Sequence, residues 1–356
     1  MKTPSSYLPL FELTRGEVIE SVHYGAFAVV NSHGTTLAYY GDPNAISFLR
    51  SSAKPFQALP LIEGGGHIRW QLSQQEIAIL CASHAGTDEH FQVLTAIQAR
   101  IHATQDDLLC GIHPAVDTPT REAMKARGEE PTPNRHNCSG KHTGMIAQAR
   151  MMDASIENYI DFDHPIQKGI LKTFGEMCQV DPQDIALGID GCSAPVFAIP
   201  IQKAAYGYAR LSDPWDLPVQ RAEACKIITN AMMAHPVMVS GPGKWDTRLM
   251  EVTKGKIVSK GGAEGYQSLG IIPNKLYPGS PGIGIAIKIS DGDSKGRARP
   301  AVALEILRRL GALAPAELES LTEFGPRFPV TNWRKITVGE ARPCFTWGNE
   351  SHLQAR

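Results

Sequence analysis

The chain has 356 residues, 42% of them hydrophobic, which is enough to bury a sizeable core in one large domain or in two smaller ones. Its 35 basic and 36 acidic residues give a formal net charge of -1 and form no arginine-lysine block, so nucleic acid is not an expected partner. The N-terminal residues mix charged with apolar side chains, which predicts neither a secretory signal nor a membrane span and favours a cytoplasmic protein. Seven cysteines at scattered spacing predict reduced thiols rather than a disulfide framework.

The chain opens with the signals of a hairpin followed by a helix. Residues 17–40 contain two runs of β-branched and aromatic residues around a short turn, which predicts two antiparallel strands. After this hairpin, a helix is expected to begin near Ser51. Pro55 and Pro60 are expected to limit or kink that helix.

Three more helices are predicted before the middle of the chain. The Ser73-x-x-Glu76 pattern is a capping box, in which each residue satisfies the backbone amide of the other, and it opens a helix over 72–81. The other two are predicted over 91–101 and 138–150. The stretch 118–137 is rich in charge, proline and glycine, and is predicted to loop over the surface.

The second half of the chain mixes strand and helix signals. Strands are predicted at 185–189, 256–260 and 284–290, and helices at 222–234 and 301–310. Strands first and last with helices between them predict an α+β fold, in which helices cover an antiparallel sheet. Since no repeat or linker is visible, we expect one catalytic unit over 1–356, with 311–356 as a C-terminal extension and any subdomain boundary left open.

The first chemical pattern is Ser51-x-x-Lys54. Its three-residue offset places a hydroxyl and an amine on one face of a helix, a single turn apart. A serine attacks only when a neighbour accepts its proton, and an uncharged lysine amine can do so. The pattern is common by chance, and the alternative interpretation is an exposed lysine near a helix cap without a catalytic role.

Two further elements follow in the order typical of penicillin-recognising serine acylases. Ser83 and His84 come after an apolar helix, and Lys260 ends a late strand. In that arrangement the late lysine contacts the second serine, so Ser83 and Lys260 are expected to form a second Ser-Lys pair. The sequence lacks the usual asparagine two residues after Ser83 and has Gly261 where threonine is usual, which disfavours a lactam-specific enzyme.

Two cysteines on glycine-bearing turns, Cys138 and Cys192, could close on one soft divalent ion such as zinc. Lys141 or His142, with a water, could complete four ligands, and His136 is also within local reach. Lysine is an unusual ligand because its amine must first lose a proton, so the residue chemistry alone favours His142. The alternative reading is a pair of unconnected buried thiols.

Asp190 stands at the end of a predicted buried strand, where a carboxylate is costly unless it is paired. It could hold the α-ammonium group of a substrate. It could equally cap the next turn through the backbone amides of Gly191 and Cys192.

Taken together and in this order, the motifs resemble the L-asparaginase II family, whose members include rhizobial, thermolabile-type asparaginases. The resemblance runs from about Leu13 to Leu310, nearly the whole chain. It rests on these strings: Leu13-Thr14-Arg15-Gly16, Glu20-Ser21-Val22-His23-Tyr24-Gly25, Arg50-Ser51-Ser52-Ala53-Lys54-Pro55-Phe56-Gln57, Ser83-His84, His136-Asn137-Cys138-Ser139-Gly140-Lys141-His142 and Ile189-Asp190-Gly191-Cys192.

The resemblance implies a fold like that of serine β-lactamases and glutaminases, and a homodimer. It implies a site with these members: catalytic pairs Ser51 with Lys54 and Ser83 with Lys260, zinc ligands Cys138, Lys141 and Cys192, Asp190 beside the substrate, and Arg50 and His142 as further substrate contacts. The resemblance thus implies that the third zinc ligand is Lys141, although residue chemistry alone favours His142.

The expected reaction is hydrolysis of L-asparagine to L-aspartate and ammonia through an acyl-enzyme. Ser51 attacks the side-chain amide while Lys54 takes its proton, and backbone amides near the helix start hold the oxyanion. Ser83 and Lys260 then relay the proton or activate the water, and Ser83 is an alternative nucleophile. Three other readings remain open: a glutaminase or β-lactamase-like serine acylase, a zinc-dependent amidohydrolase with Ser51 as a helix cap, and a non-catalytic amino-acid-binding protein.

Overall fold

The computed structural model describes residues 6–346. The strands are β1 Leu8–Arg15, β2 Val18–Asn31, β3 Thr36–Tyr40, β4 Ile46–Phe48, β5 Ala186–Ile189, β6 Pro195–Pro200, β7 Ile257–Gly262, β8 Tyr266–Ile271, β9 Ile283–Ile289, β10 Phe328–Thr331 and β11 Thr337–Pro343. The helices are α1 Lys54–Glu63, α2 Gly66–Arg69, α3 Gln74–Leu80, α4 Asp88–Arg100, α5 Thr118–Ala126, α6 Ser139–Met151, α7 Pro165–Cys178, α8 Ile201–Ser212, α9 Val219–Ala234, α10 Pro236–Ser240, α11 Trp245–Thr253, α12 Ala298–Arg309 and α13 Pro315–Glu319. In this part of the chain, no helix is long and apolar enough to cross a membrane.

The chain divides into two compact units, each built from separate segments. The first, here called the sheet unit, comprises Met1–Ser52, Ala198–Asp213 and Ser259–Arg356. The second, the helical unit, comprises Ala53–Phe197 and Pro214–Val258.

The sheet unit is built on one antiparallel sheet with the strand order β10-β11-β1-β2-β9-β8-β7, to which β3 adds by pairing with β2. Helix α8 packs against β2, β8 and β9, while α12 packs against β1, β8, β9 and β11. The approach of α8 is close, because a Cβ atom on Gly284 of β9 would lie 1.8 Å from the Ala205 carbonyl oxygen. The α+β prediction and the predicted hairpin over 17–40 are confirmed.

The helical unit is arranged around α6, whose residues from Ser139 to Ala149 are all buried. Helix α6 packs against α1, α3, α4 and α7, and α9 packs against α1 and α3. Many of the buried residues of α6 are small or polar rather than aliphatic. Small residues let the neighbouring backbones approach, and buried polar groups require partners, so this helix is suited to carry a site.

Short sequence patterns correctly predicted several helices. The capping box is present at the start of α3, where the side chains of Ser73 and Glu76 satisfy each other's backbone amides. Near Ser51 the chain forms a 3-10 turn over Arg50–Ala53 before α1 begins at Lys54, and Pro60 lies inside α1.

The prediction of a surface loop over 118–137 is wrong. Residues Thr118–Ala126 form α5, capped by Asp117, whose side chain accepts the Thr120 amide. Asn134 is buried, where its amide group exchanges hydrogen bonds of 2.7 and 3.0 Å with Gln98. Polar residues are buried without penalty when they are paired in this way, and composition alone does not reveal the pairing.

The strand predicted at 185–189 exists as β5, but it is not buried. The side chain of Ile189 is 72% exposed. A run of β-branched residues favours a strand without fixing which strand face meets the core.

The two ends of the described chain form strands that the sequence did not indicate. Strand β1 pairs with β11, and β11 with β10, so residues 328–343 belong to the main sheet. Helices α7 and α8 were also not predicted. The N-terminal residues 1–5 and the last part of the predicted extension, 347–356, lie outside the described residues.

Candidate active site

The predicted site residues fall into both units. Arg50, Ser51 and Lys260 belong to the sheet unit. The others belong to the helical unit: Lys54, Ser83, Cys138, Lys141, His142, Asp190 and Cys192.

In the helical unit, Lys54 is the first residue of α1 and its side chain is only 1% exposed. Its Nζ atom donates to Ser83 Oγ at 2.9 Å, to the Ala82 carbonyl, and to the Asn137 carbonyl at 3.5 Å. These three acceptors surround the amine nitrogen, which explains how a lysine is tolerated in the interior. The structure therefore contains a direct Ser83–Lys54 pair, which the sequence did not indicate.

The segment that carries Ser83 follows α3. Its backbone amide at Ser83 donates to the Val239 carbonyl of α10 at 2.9 Å. Gly86 has a positive φ of 72°, a conformation that glycine adopts without strain. A side chain there would also collide with the Arg135 carbonyl oxygen, 2.7 Å from the position of a Cβ atom.

In the sheet unit, Lys260 lies on β7 and is fully buried. Its Nζ atom donates to the Gly261 carbonyl at 2.6 Å, and its own carbonyl accepts the Ser52 hydroxyl at 2.7 Å. The 3-10 turn that holds Ser51 is thus fixed to β7. Arg50, which opens this turn, has a positive φ of 50°, and strained backbone of this kind in non-glycine residues is frequent at functional sites.

The structure brings Cys138, Lys141 and Cys192 together. Lys141 Nζ lies 2.8 Å from Cys192 Sγ, and the two cysteine thiols are hydrogen-bonded to each other. The Lys54 side chain also reaches the Cys138 thiol, so the thiol cluster and the Ser83–Lys54 pair are contiguous. Two cysteines distant in the sequence thus share one buried cluster.

Charge is distributed unevenly within this cluster. The hydrogen bond from Cys192, opposed by burial and aided by the charges of Lys54 and Lys141, lowers the pKa of Cys138 well below its ordinary value. The same hydrogen bond and burial raise the pKa of Cys192. Burial acts to lower the pKa of Lys141, but the two sulfur atoms outweigh it and raise this pKa. The pKa values of the two thiols are therefore shifted in opposite directions.

His142 is fully buried near Cys192, and its side-chain hydrogen bond with Tyr159 indicates its tautomer. The Tyr159 hydroxyl accepts the Leu109 amide at 2.8 Å and lies 2.6 Å from His142 Nδ1, so the hydroxyl proton is directed to Nδ1. Burial lowers the pKa of His142 to about 4, so the ring is neutral and its proton resides on Nε2. Nε2 is buried without a hydrogen-bond partner among the described residues, and while it carries the proton it cannot be a metal ligand.

Within residues 6–346, no group of three or more His, Cys, Asp or Glu side chains is arranged to hold a metal ion. A soft ion fits only if the amine of Lys141 joins the sulfur atoms of Cys138 and Cys192. The S₂N donor set suits zinc, provided that Lys141 loses its proton.

Asp190 follows β5 and forms a tight turn. Its carboxylate accepts the Gly191 amide at 2.8 Å, and its backbone amide donates to the Ala194 carbonyl at 2.9 Å. Ser193, in the same turn, has a positive φ of 69°. Of the two amides considered for a capping role of Asp190, that of Gly191 is bonded to its carboxylate, and Cys192 follows in the same turn.

Several residues of this site carried no sequence signal. The Asn137 carbonyl contacts Lys54, and the Tyr159 hydroxyl fixes His142. Backbone carbonyls have no identity in a sequence, and an isolated tyrosine is most often a core residue.

The chain is similar to several solved structures, whereas no curated protein matches it. Among solved structures, a Bacillus subtilis glutaminase in covalent complex with 5-oxo-L-norleucine is similar, at 13% identity and a TM-score of 0.37, over 81% of this chain and 86% of that chain. A Bacillus glutaminase in 4.3 M NaCl is similar at 12% identity and a TM-score of 0.37, over 80% of this chain and 90% of that chain. A probable glutaminase from Bacillus subtilis complexed with 6-diazo-5-oxo-L-norleucine is similar at 12% identity and a TM-score of 0.38, over 80% of this chain and 83% of that chain.

The family comparison covers most of the chain. A model described as L-asparaginase II matches residues 11–343. That range includes every predicted site residue in both units. The chain therefore belongs to the L-asparaginase II family of amidohydrolases.

Proposed function

We propose that this protein hydrolyses L-asparagine to L-aspartate and ammonia through a serine acyl-enzyme. Family membership supports an amidohydrolase. The observation that carries the serine mechanism is the 2.9 Å contact between Lys54 Nζ and Ser83 Oγ in a buried setting. A buried lysine next to a hydroxyl is the arrangement that proton transfer to and from a serine requires.

In this mechanism the sequence pattern assigns the attack to Ser51. The Ser51 oxygen forms an ester bond with the side-chain carbonyl carbon, and an uncharged Lys54 accepts the hydroxyl proton. Lys54 passes a proton to Ser83, whose hydroxyl delivers one to the amide nitrogen as the carbon–nitrogen bond breaks and ammonia leaves. Water then hydrolyses the ester and releases L-aspartate. Lys260 is assigned to the same proton relay, and Arg50, Asp190 and His142 to substrate contacts.

We also propose that Cys138, Lys141 and Cys192 hold a zinc ion. Their S₂N donor set and the 2.8 Å contact between Lys141 Nζ and Cys192 Sγ support this assignment. When bound, zinc would supply a positive charge that positions the substrate, since a serine nucleophile does not require a Lewis acid. Metal analysis of the purified protein, beside the Cys138→Ser and Cys192→Ser variants, tests the site: bound zinc should be lost from both variants.

The test of the serine mechanism is to trap the acyl-enzyme with an electrophilic asparagine analogue and to locate the modified residue by mass spectrometry. Modification of Ser51 is expected, and Lys54→Met should prevent it. Modification of Ser83 instead would exchange the roles of the two serines. If the protein releases ammonia from asparagine while neither serine is ever modified and Ser51→Ala keeps full activity, a zinc-activated water becomes the better account.

Substrate choice requires its own measurement. Ammonia release from asparagine and glutamine, and hydrolysis of a chromogenic lactam, should be compared under one set of conditions. We expect the highest kcat/KM for asparagine. A higher value for glutamine or for the lactam would contradict the proposed substrate.

A further inference from the structure

Two stacked histidines lie next to Ser83 and have no role in the mechanism above. His84 directly follows Ser83, and His90 lies in the first turn of α4. Both side chains are fully buried, and their rings stack with centroids 5.0 Å apart and planes tilted by 20°. Buried imidazoles at this position need a physical reason, because each must satisfy two ring nitrogens.

The hydrogen bonds of His84 fix its tautomer. The Gly86 amide donates to Nδ1 at 3.1 Å, so Nδ1 carries no proton, and the neutral ring is protonated at Nε2. Nε2 lies 2.8 Å from the Ser139 hydroxyl oxygen, to which it donates. The Ser139 hydroxyl in turn donates to the Asn134 carbonyl at 3.2 Å, which leaves its oxygen open to accept from His84.

His90 repeats this arrangement. The Thr87 amide donates to its Nδ1 atom at 3.1 Å, and its Nε2 atom donates to the Val237 carbonyl of α10 at 2.9 Å. Burial lowers the pKa of His84 well below 6.5, with the neighbouring His90 and Lys54 charges as further causes, and burial also lowers the pKa of His90. Both rings are therefore neutral near pH 7 and hold the tautomers that their partners require.

These bonds fix the Ser83 segment from two directions. His84 connects it to α6 through Ser139, which adjoins Cys138. The Ser83 amide and the stacked His90 connect it to α10. The His84 side chain is fully buried, and its backbone is continuous with that of Ser83.

We propose that His84 is the positioning residue that sets the Ser83 hydroxyl against Lys54, and that it acts as a neutral Nε2–H donor to Ser139. This inference rests on the proposed function, in which Ser83 exchanges a proton with Lys54. A shift of the Ser83 hydroxyl by about 1 Å is enough to cost about 100-fold in rate. The bond from His84 to Ser139 therefore acts on turnover without direct contact with the reaction.

Two substitutions distinguish the roles of the two hydrogen bonds that the His84 ring nitrogens make. His84→Gln can keep the donation to Ser139 because its amide NH₂ reaches the Nε2 position, whereas His84→Asn keeps only the acceptor for Gly86. We expect His84→Asn to lower kcat for ammonia release by about 10- to 100-fold with KM within about twofold, and His84→Gln to recover most of that loss. Ser139→Ala should reproduce the loss, and the His84→Asn/Ser139→Ala double variant should lose no more than either single variant.

A role confined to stability would move other quantities. It would lower the midpoint of unfolding in each variant while leaving kcat per folded molecule unchanged, and that result would overturn the proposal. Losses that multiply in the double variant would overturn it too, because the two residues would then act separately.

The tautomer gives a readout that does not depend on activity. In protein labelled with ¹⁵N-histidine, heteronuclear NMR at pH 7 should show His84 neutral and protonated at Nε2, with the assignment made from the His84→Gln spectrum. A proton on Nδ1, or a charged ring, would overturn the inference. If the wild-type protein fails to release ammonia from asparagine, the proposed function fails, and the NMR measurement still decides the state of His84.

Discussion

Helix α6 lies very close to α3 at Gly140, and this contact gives a specific prediction. A Cβ atom at Gly140 would lie 2.0 Å from the Ile79 backbone carbonyl oxygen. Ordinary van der Waals contact begins near 3.4 Å, so the Gly140→Ala substitution must separate the two backbones by more than 1 Å. The obstacle is backbone at the end of α3, so no flexible side chain can move aside.

The expected magnitude combines two opposing contributions. Alanine in place of glycine within a helix is worth about 1 kcal/mol in its favour. Overpacking of a close contact costs about 1–3 kcal/mol, and a clash against backbone lies at the upper end of that range. We therefore expect Gly140→Ala to lower the free energy of unfolding by about 1–2 kcal/mol. Because Lys141 adjoins Gly140 and Ser83 follows α3, a displacement of more than 1 Å should also lower kcat by about 100-fold.

The same helix provides the control. A Cβ atom at Gly144, one turn further along α6, would lie 3.7 Å from side-chain atoms of Leu80, which is ordinary contact. Gly144→Ala should leave kcat unchanged and raise the free energy of unfolding by up to about 1 kcal/mol. Urea unfolding and steady-state ammonia release measure both quantities. If Gly140→Ala proved as stable and as active as Gly144→Ala, the close packing of α6 on α3 would be refuted.

Three further predictions concern charge and metal. Burial lowers the pKa of His84 and His90 in the folded protein, so the unfolded chain binds protons at a higher pH and the free energy of unfolding should fall as pH drops below 6.5. Urea unfolding at pH 7.5 and 5.5 measures this difference, and equal free energies of unfolding would contradict it. Lys54→Met should lower kcat by at least about 1000-fold, measured as ammonia release, and Lys54→Arg should fail to restore it. Removing zinc with a chelator should raise KM more than it lowers kcat. A lower kcat at unchanged KM would contradict the proposal that the zinc ion held by Cys138 and Cys192 positions the substrate.

The sequence predicted those parts of the fold that depend on local signals. The hairpin and the capping box at Ser73 were predicted because neighbouring residues alone determine them. The pairing of β1 with β11 was missed because its partners are remote: Thr14 and Glu340, which exchange hydrogen bonds, are 326 positions apart. Helix α5 was missed because its polar composition also suits a loop.

The candidate site shows the same division. Two Ser-Lys pairs were expected from motif order, but the bond between Lys54 and Ser83 depends on how α1 packs relative to the segment after α3, and no sequence spacing encodes that packing. Whether Lys141 or His142 serves as the third zinc ligand likewise depends on the Tyr159 hydroxyl, because its hydrogen bond determines the tautomer of the His142 ring.

The division of the chain into interleaved segments has a consequence for its synthesis. Strands β1 and β2 are translated long before their partners β11 and β9, which follow the whole helical unit in the chain. Until then, two apolar strands expose unpaired edges, which are templates for association with other chains. All residues of the helical unit have been translated once Val258 is made, so this unit can become compact earlier. We therefore expect the nascent chain to depend on chaperones most strongly through its N-terminal strands, and C-terminal truncations that remove β9 to aggregate rather than to yield a smaller soluble enzyme.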